Sequence, residues 1–207
     1  MSAEQDAVDR ADAEKVYEEL LSRIGEAAPR PRLAPTRRAA ELLGDPQRSY
    51  AIIHITGTNG KTTTSRIAES ILRAYGLRTG LLTSPHLVRV NERIMIDGLP
   101  ISDRALADNW ADIAPYVLMV DAELTANGEE PLTYFEALTL LAFAAFARMP
   151  PEERVETGRI GVDRHGQHIA ARIEDTLRAV AMVNVDIENC RTPSGAQQRL
   201  GGDRCIV

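Results

Sequence analysis

The stretch HITGTNGKTTT, residues 54–64, lies at the junction between an apolar run and a helical pattern. The run YAIIHIT (50–56) is rich in β-branched residues and is typical of a strand that is buried on both faces. From Thr62 to Tyr75 the spacing predicts a helix with Gly76 at its C-cap, where glycine is favoured. The buried stripe of this helix is predicted to comprise Ile67, Ala68, Ile71, Leu72 and Tyr75. The segment as a whole predicts a strand, a tight loop and a helix.

The loop between strand and helix has the features of a phosphate-binding site. Glycines let backbone N–H groups approach phosphate oxygens, the helix N-terminus supplies unpaired donors, and Lys61 adds a positive charge. The Thr62 hydroxyl can ligate the Mg²⁺ that accompanies ATP. The general G-x-x-x-x-G-K-[ST] pattern is only partly met, because its first glycine would fall at Ile55. An ordinary tight turn with a solvated lysine therefore stays open as an alternative. The candidate nucleotide-binding residues are Gly57, Thr58, Asn59, Gly60, Lys61, Thr62 and Thr63.

Patterns elsewhere in the chain predict a parallel sheet with helices packed around it. GLLTSPH (80–86) reads as a second strand running into a loop, so it completes a βαβ unit. The segment 87–97 alternates apolar and charged residues, reads as extended, and ends in the turn signal Asp97-Gly98. Helices are predicted at 12–27, 37–43, 103–116, 133–147 and 169–183, with 103–116 on the surface and 133–147 buried.

Composition and cysteine spacing argue against several classes of protein. The chain has 207 residues, is 44% hydrophobic and has a net charge of −6, so it can bury a core but does not look like a nucleic-acid binder. The two cysteines, Cys190 and Cys205, have no disulfide or zinc spacing, which favours a reducing cytoplasm. The N-terminus lacks an apolar signal segment, and the longest apolar run, 137–147, is too short to span a bilayer.

Several motifs in order resemble one family. ITGTNGKTTT (55–64) resembles the ATP loop of the Mur ligase superfamily. Three further stretches narrow the resemblance to folylpolyglutamate synthases and dihydrofolate synthases: RRAAELLGDPQRSYAIIHI (37–55), LLTSPHLVRVNERIMIDGLPIS (81–102) and LTYFEALTLLAFAAFA (132–147). The resemblance covers roughly residues 13–147. It implies an α/β fold of P-loop type, with three layers and a parallel sheet.

The resemblance also implies a reaction and its participants. Family members are ATP-dependent ligases that join L-glutamate to folate or dihydropteroate through an acyl phosphate. Applied to this chain, it makes Lys61 catalytic, assigns Mg²⁺ to Thr62 and Ser84, and places Ser84, Pro85, His86 and Arg93 at the substrate. From the residues alone, a simple turn at Ser84-Pro85 with His86 on the surface is the preferred interpretation, and Arg93 could lie on a solvated strand face.

Thr133 and Glu136 have a structural interpretation of their own. A threonine followed three residues later by glutamate, ahead of an apolar run, predicts a capping box. Since the resembled family has this segment beside its active site, Glu136 could serve both purposes.

The resemblance ends near residue 148. We therefore divide the chain into residues 1–147, the N-terminal part of the ATP-binding domain, and 148–207, an atypical tail. PPEERVE (150–156) does not read as a buried strand, Glu156 is a weak candidate for a second metal ligand, and His165 and His168 read as a solvated pair. A fold truncated or altered here is expected to leave an exposed sheet edge and uncovered apolar helix faces.

Three functions remain open at this stage. The chain could be part of a folate ligase, a non-catalytic nucleotide-binding remnant of that family, or a stand-alone P-loop phosphotransferase. The motif order at 81–102 makes the phosphotransferase the least favoured.

Overall fold

The computed structural model describes residues 2–25, 32–55, 59–149 and 179–184. The helices are α1 (Ala3–Leu21), α2 (Ala34–Leu42), α3 (Lys61–Ala74), α4 (Asp103–Ala126) and α5 (Tyr134–Ala147). The strands are β1 (Ala51–Ile55), β2 (Arg78–Leu82), β3 (Ile94–Ile96), β4 (Leu99–Pro100) and β5 (Ala179–Asn184).

One mixed sheet holds all five strands in the order β1-β5-β2-β3-β4. β5 pairs parallel with both β1 and β2, while β3 and β4 continue the sheet antiparallel. The predicted α/β class and its parallel βαβ unit are thereby confirmed. The predicted helix at 169–183 is wrong for residues 179–183, which form most of β5, and its residues 169–178 lie outside the described ranges. A short apolar run cannot be assigned to helix or strand by periodicity alone.

Helices cover both faces of this sheet, which gives the predicted three layers. Leu81 faces α3 and packs with Ile53, Ala68 and Leu72. Its neighbour Leu82 points to the opposite face, where a larger core joins the sheet to α1, α4 and α5. Successive strand residues alternate between faces, so β2 contributes to both cores. The division of the chain at residue 147 stays a prediction, although β5 belongs to the sheet.

α4 is longer and more central than the sequence predicts. It continues through Pro115 to Ala126 and buries a face that includes Leu106, Trp110, Val117 and Val120. The predicted surface helix 103–116 is therefore wrong in both length and position. Burial of Val117, Val120 and Leu124 after this proline outweighs its helix-breaking tendency. α1 also differs from the predicted 12–27, since it runs from Ala3 to Leu21 with Ser2 as its N-cap.

The predicted buried stripe of α3 is only half right. Ala68 and Leu72 pack against the sheet, whereas Ile67, Ile71 and Tyr75 are exposed. The expectation of uncovered apolar helix faces is met at these positions. The predicted C-cap is confirmed, with Gly76 at φ +81°.

The segment 87–97 is less extended than predicted. A 3₁₀ turn at Val90–Arg93 precedes β3, and the strand itself is three residues long. The Asp97-Gly98 turn is confirmed: both residues have positive φ, at +50° and +78°, and they connect β3 to β4. A two-residue hairpin turn of this kind requires such dihedrals and favours Asp-Gly.

Candidate functional site

The loops that carry the candidate residues leave the same edge of the sheet. Val183 of β5 lies opposite His54 on one side and opposite Leu82 on the other, so the carboxyl ends of β1, β5 and β2 are level. Neighbouring strands are about 4.8 Å apart, which separates the ends of β1 and β2 by roughly 10 Å. Ligands bind at this edge in parallel α/β sheets. The structure therefore brings the start of α3 and the Ser84 loop to the same edge of the sheet.

The glycine loop ends at the first turn of α3. Gly60 is the N-cap, at φ +75°, and offers no side-chain acceptor to the first N–H groups of the helix. The left-handed conformation of Gly60 suits glycine, which has no Cβ. Asn59, Gly60 and Thr63 are exposed, while Lys61 and Thr62 are half-buried. The predicted site residues Gly57 and Thr58 lie outside the described ranges.

The Ser84 loop begins directly after β2. Thr83 is buried, and its N–H donates to the Arg93 carbonyl at 2.9 Å. Ser84 is half-buried and Pro85 is exposed. The loop is thus held at its start by the backbone of the 3₁₀ turn and presents Ser84 and Pro85 beyond that point.

His86 is fixed by two side chains that are remote in sequence. The Nε–H of Arg93 donates to His86 Nδ1 at 2.8 Å, and the Tyr17 hydroxyl lies 3.3 Å from His86 Nε2. Because a guanidinium is always a donor, Nδ1 must accept and the ring proton lies on Nε2. The Tyr17 ring also meets the imidazole edge to face, with 5.6 Å between centroids. His86 is therefore an oriented side chain, which differs from the alternative of a surface imidazole.

Arg93 is buried, at 5% exposure, and its guanidinium lies 5.1 Å from the centroid of the Tyr134 ring. The alternative of a solvated strand face is wrong for this residue. Tyr17 and Tyr134 are the two members of this cluster that sequence reasoning missed. Tyr17 reads simply as part of the α1 stripe, and nothing in the pattern links it to a histidine 69 positions later.

A single carboxylate organises the rest of the loop. The N–H groups of Leu87, Val88 and Arg89 donate to Glu92 at 2.8, 3.2 and 3.1 Å. These bonds, led by the one from Leu87, lower the pKa of Glu92 below its ordinary value of 4.5. Leu87 and Val88 project outward, at 92% and 81% exposure. The loop thus has an ordered backbone and an apolar outer surface.

Glu136 forms the predicted capping box at the start of α5. Its carboxylate accepts from the Thr133 N–H at 2.8 Å, and Thr133 Oγ1 accepts from the Glu136 N–H at 3.3 Å. Arg32 also pairs with this carboxylate through two hydrogen bonds, at 3.0 and 2.8 Å. The capping prediction is confirmed, and the ion pair gives Glu136 a second structural role.

The donor set at the sheet edge suits a hard cation held with a nucleotide. Thr62 and Ser84 supply hydroxyl oxygens, and Mg²⁺ takes oxygen ligands from protein, phosphate and water together. Within 2–25, 32–55, 59–149 and 179–184, no three His, Cys, Asp or Glu side chains gather into a metal-binding group. Glu156, His165 and His168 lie outside those ranges. Among the described helices, none is long and apolar enough to cross a membrane.

Known proteins resemble this chain in sequence and in fold. The dihydrofolate synthase/folylpolyglutamate synthase of Mycobacterium tuberculosis is 45% identical over 128 residues, which are 60% of this chain and 26% of that protein. The solved folylpolyglutamate synthase of M. tuberculosis complexed with ADP and AMPPCP superimposes with a TM-score of 0.65 at 34% identity, covering 86% of this chain and 32% of that one. A bifunctional folylpolyglutamate synthase/dihydrofolate synthase with Mn, AMPPNP and L-glutamate bound gives 0.52 at 28% identity, covering 76% and 30%. No family model matches the chain.

The strand-loop-helix unit and the level strand ends define an α/β domain of the Mur ligase type. In its N-terminal portion the chain is related to the folylpolyglutamate synthase and dihydrofolate synthase family, which confirms the resemblance drawn from its motifs. It spans about a quarter to a third of the length of the relatives described above.

Proposed function

We propose that this chain carries the ATP-binding part of an ATP-dependent ligase that adds L-glutamate to folate or dihydropteroate. The supporting observation is the common sheet edge, at which the start of α3 and the Ser84 loop flank β5. The relatives support the reaction class, since their names are those of folylpolyglutamate and dihydrofolate synthases. The cytoplasm is the localisation that fits this chemistry. It also fits the spacing of Cys190 and Cys205, which predicts neither a disulfide nor a zinc site.

On this proposal the phosphates of ATP lie on the glycine loop. The N–H groups at the start of α3 would hold phosphate oxygens, together with Gly57, Thr58, Asn59 and Gly60. Lys61 would neutralise charge on the transferred phosphoryl group. Thr62 and Ser84 would hold Mg²⁺, which would supply further neutralisation of the phosphate charge when bound with the nucleotide.

The Ser84 loop is the proposed substrate side of the site. Pro85 and the exposed apolar residues Leu87 and Val88 offer a surface for a flat pterin ring. Arg93 keeps His86 in one orientation through Nδ1, so it shapes this surface as well as adding positive charge near an anionic substrate. A carboxylate held between this loop and the glycine loop would be placed to receive the γ-phosphoryl group and then react with the glutamate amine.

A second candidate function is nucleotide binding without ligation. The unpaired N–H groups at the start of α3, with Gly60 as the N-cap, support phosphate binding by themselves. The two candidates differ in what they do when all substrates are present. A ligase forms the glutamyl amide and releases ADP and phosphate, whereas a remnant binds MgATP and releases neither.

A ligation assay separates these candidates. The purified chain is incubated with MgATP, L-glutamate and either dihydropteroate or folate, and the glutamylated product is measured by mass spectrometry. Lys61→Ala is the test variant. Lys15→Ala is the matched control, because Lys15 pairs with Asp12 on the exposed face of α1. Product that requires ATP and is lost in Lys61→Ala but not in Lys15→Ala supports the ligase; MgATP binding without product supports the remnant.

A further inference from the structure

Tyr17 on α1 and His86 in the Ser84 loop meet through a hydrogen bond and a ring contact. The Tyr17 hydroxyl lies 3.3 Å from His86 Nε2, and the two rings meet edge to face with 5.6 Å between their centroids. Because Arg93 donates to Nδ1, the ring proton lies on Nε2, and this N–H donates to the Tyr17 oxygen. His86 is therefore held through both ring nitrogens by side chains from separate segments.

α1 is a firm support for Tyr17. Val16 and Leu20, on the buried side of the helix, are 6% and 0% exposed and belong to the larger core. The Glu19 carboxylate also accepts from Trp110 Nε1 at 2.8 Å, which ties α1 to α4. Because the helix is fixed in this way, the Tyr17 hydroxyl offers the imidazole an acceptor at a defined position.

A different residue holds the backbone of the loop. The Glu92 carboxylate accepts from the N–H groups of residues 87–89, and these bonds involve neither Tyr17 nor the imidazole. The contact with α1 contributes something else, which is a single orientation of the His86 ring. Loss of the Tyr17 hydroxyl should therefore leave the loop folded and free only the imidazole.

We infer that Tyr17 is a positioning residue for the pterin substrate and acts through His86. The inference rests on the proposed function, in which His86 contacts that substrate. A binding residue that is already held in one orientation loses less conformational freedom when its ligand binds. Removal of the Tyr17 hydroxyl should therefore weaken binding of the pterin. It should leave the affinity for nucleotide unchanged, because the contact of Tyr17 is with the Ser84 loop.

Equilibrium binding of dihydropteroate and of folate to the purified chain, with a non-hydrolysable analogue of MgATP present, tests the inference. Tyr17→Phe removes the hydroxyl and keeps the ring that meets the imidazole. Tyr116→Phe is the matched control, since Tyr116 lies on α4 and is 39% exposed. We expect Tyr17→Phe to raise the Kd for the pterin about two- to tenfold, the range for one hydrogen bond. Tyr116→Phe should leave it unchanged, and neither variant should change the Kd for the nucleotide analogue.

A double-variant cycle shows whether Tyr17 acts through His86. His86→Phe keeps an aromatic ring but cannot donate to the Tyr17 hydroxyl. In that background, Tyr17→Phe should cause no further loss of pterin affinity, because the contact is already gone. A purely structural role of Tyr17, such as packing of α1, would instead lower pterin affinity by the same factor in both backgrounds.

Nitrogen NMR of the His86 ring gives a readout that needs no substrate. We expect a proton on Nε2 and none on Nδ1 in the wild type. In Tyr17→Phe the Nε2 proton should exchange with water faster, because it has lost its acceptor. A wild-type proton on Nδ1, or an exchange rate that Tyr17→Phe leaves unchanged, would overturn the inference.

The binding results separate failure of this inference from failure of the proposed function. Equal pterin affinity in the wild type and in Tyr17→Phe overturns the inference alone. An equal loss with and without His86 also overturns it alone, because Tyr17 would then act by another route. A wild-type chain that binds the nucleotide analogue but neither dihydropteroate nor folate overturns the inference together with the proposed substrate side of the site.

Discussion

Arg93 donates its Nε–H to His86 Nδ1 across 2.8 Å, and this hydrogen bond ties the loop after β2 to the 3₁₀ turn before β3. The same guanidinium lies over the ring of Tyr134 at the start of α5. One buried cation thus joins three segments that converge beside the sheet edge. The orientation of the proposed substrate loop depends on it.

Replacement of Arg93 by lysine is expected to destabilise the protein by about 1–3 kcal/mol, although the charge is kept. Lysine cannot donate to His86 in the same plane while stacking on Tyr134. Urea denaturation measures the difference. Arg104→Lys is the control, because Arg104 is 62% exposed and its ion pair with Asp108 is long, at 3.6 Å. Equal stability of the two variants would show that the His86 contact contributes nothing.

The Glu136 carboxylate is expected to contribute to the free energy of unfolding and not to the affinity for nucleotide. Glu136→Gln removes the charge that faces Arg32, and loss of one partner from a largely buried pair costs of the order of 3 kcal/mol. Thr133→Ala removes only the cap and is expected to cost about 1 kcal/mol. Both are measured by urea denaturation, with MgATP affinity determined in parallel. A weaker affinity for MgATP in folded Glu136→Gln would instead place this residue in the site.

Gly80 is expected to resist substitution because of Phe146. A Cβ at Gly80 would lie 2.5 Å from the Phe146 ring, which is 1% exposed. Gly80→Ala should therefore destabilise the fold by about 1–3 kcal/mol, through overpacking. Gly25→Ala, where nothing lies within 4 Å, is the neutral control. The double variant Gly80→Ala/Phe146→Leu should lose less stability than the sum of the losses in the two single variants. A loss equal to that sum would argue against the clash.

The hydrogen bonds that residues 87–89 donate to Glu92 are expected to weaken at acidic pH. The pKa of Glu92 is lowered in the folded protein. The stabilising contribution of this carboxylate is therefore complete above the ordinary value of 4.5 and is lost as the pH falls through the lowered pKa. Amide chemical shifts of Leu87, Val88 and Arg89 should follow this titration together. Glu92→Gln should abolish the shared transition, and its persistence in that variant would assign it to another group.

Local chemistry explains what the sequence could predict. The Asp97-Gly98 turn, the Gly76 C-cap and the Thr133–Glu136 capping box each depend on residues close in the chain, and all three are confirmed. The strand-loop-helix around Lys61 was predictable for the same reason. Three further motifs in order then narrowed the family, which a single glycine loop could not do.

What the sequence could not predict depends on contacts between distant segments. β5 is placed by pairing with β1 and β2, and its short apolar run fits a helix equally well in isolation. The spacing of Ile67, Ile71 and Tyr75 predicts a buried face on α3, yet these side chains are exposed. Among the described strands, the sheet ends at β1. The His86 cluster joins residues from α1, the Ser84 loop and the 3₁₀ turn. No local sequence pattern predicts these contacts.

Calorimetric titration of the purified chain with MgATP tests the central claim most directly. The account predicts saturable binding to the wild type and to Lys15→Ala, and loss of binding in a folded Lys61→Ala variant. A wild-type chain with a folded circular dichroism spectrum and no heat of binding would contradict it, as would binding that Lys61→Ala leaves unchanged.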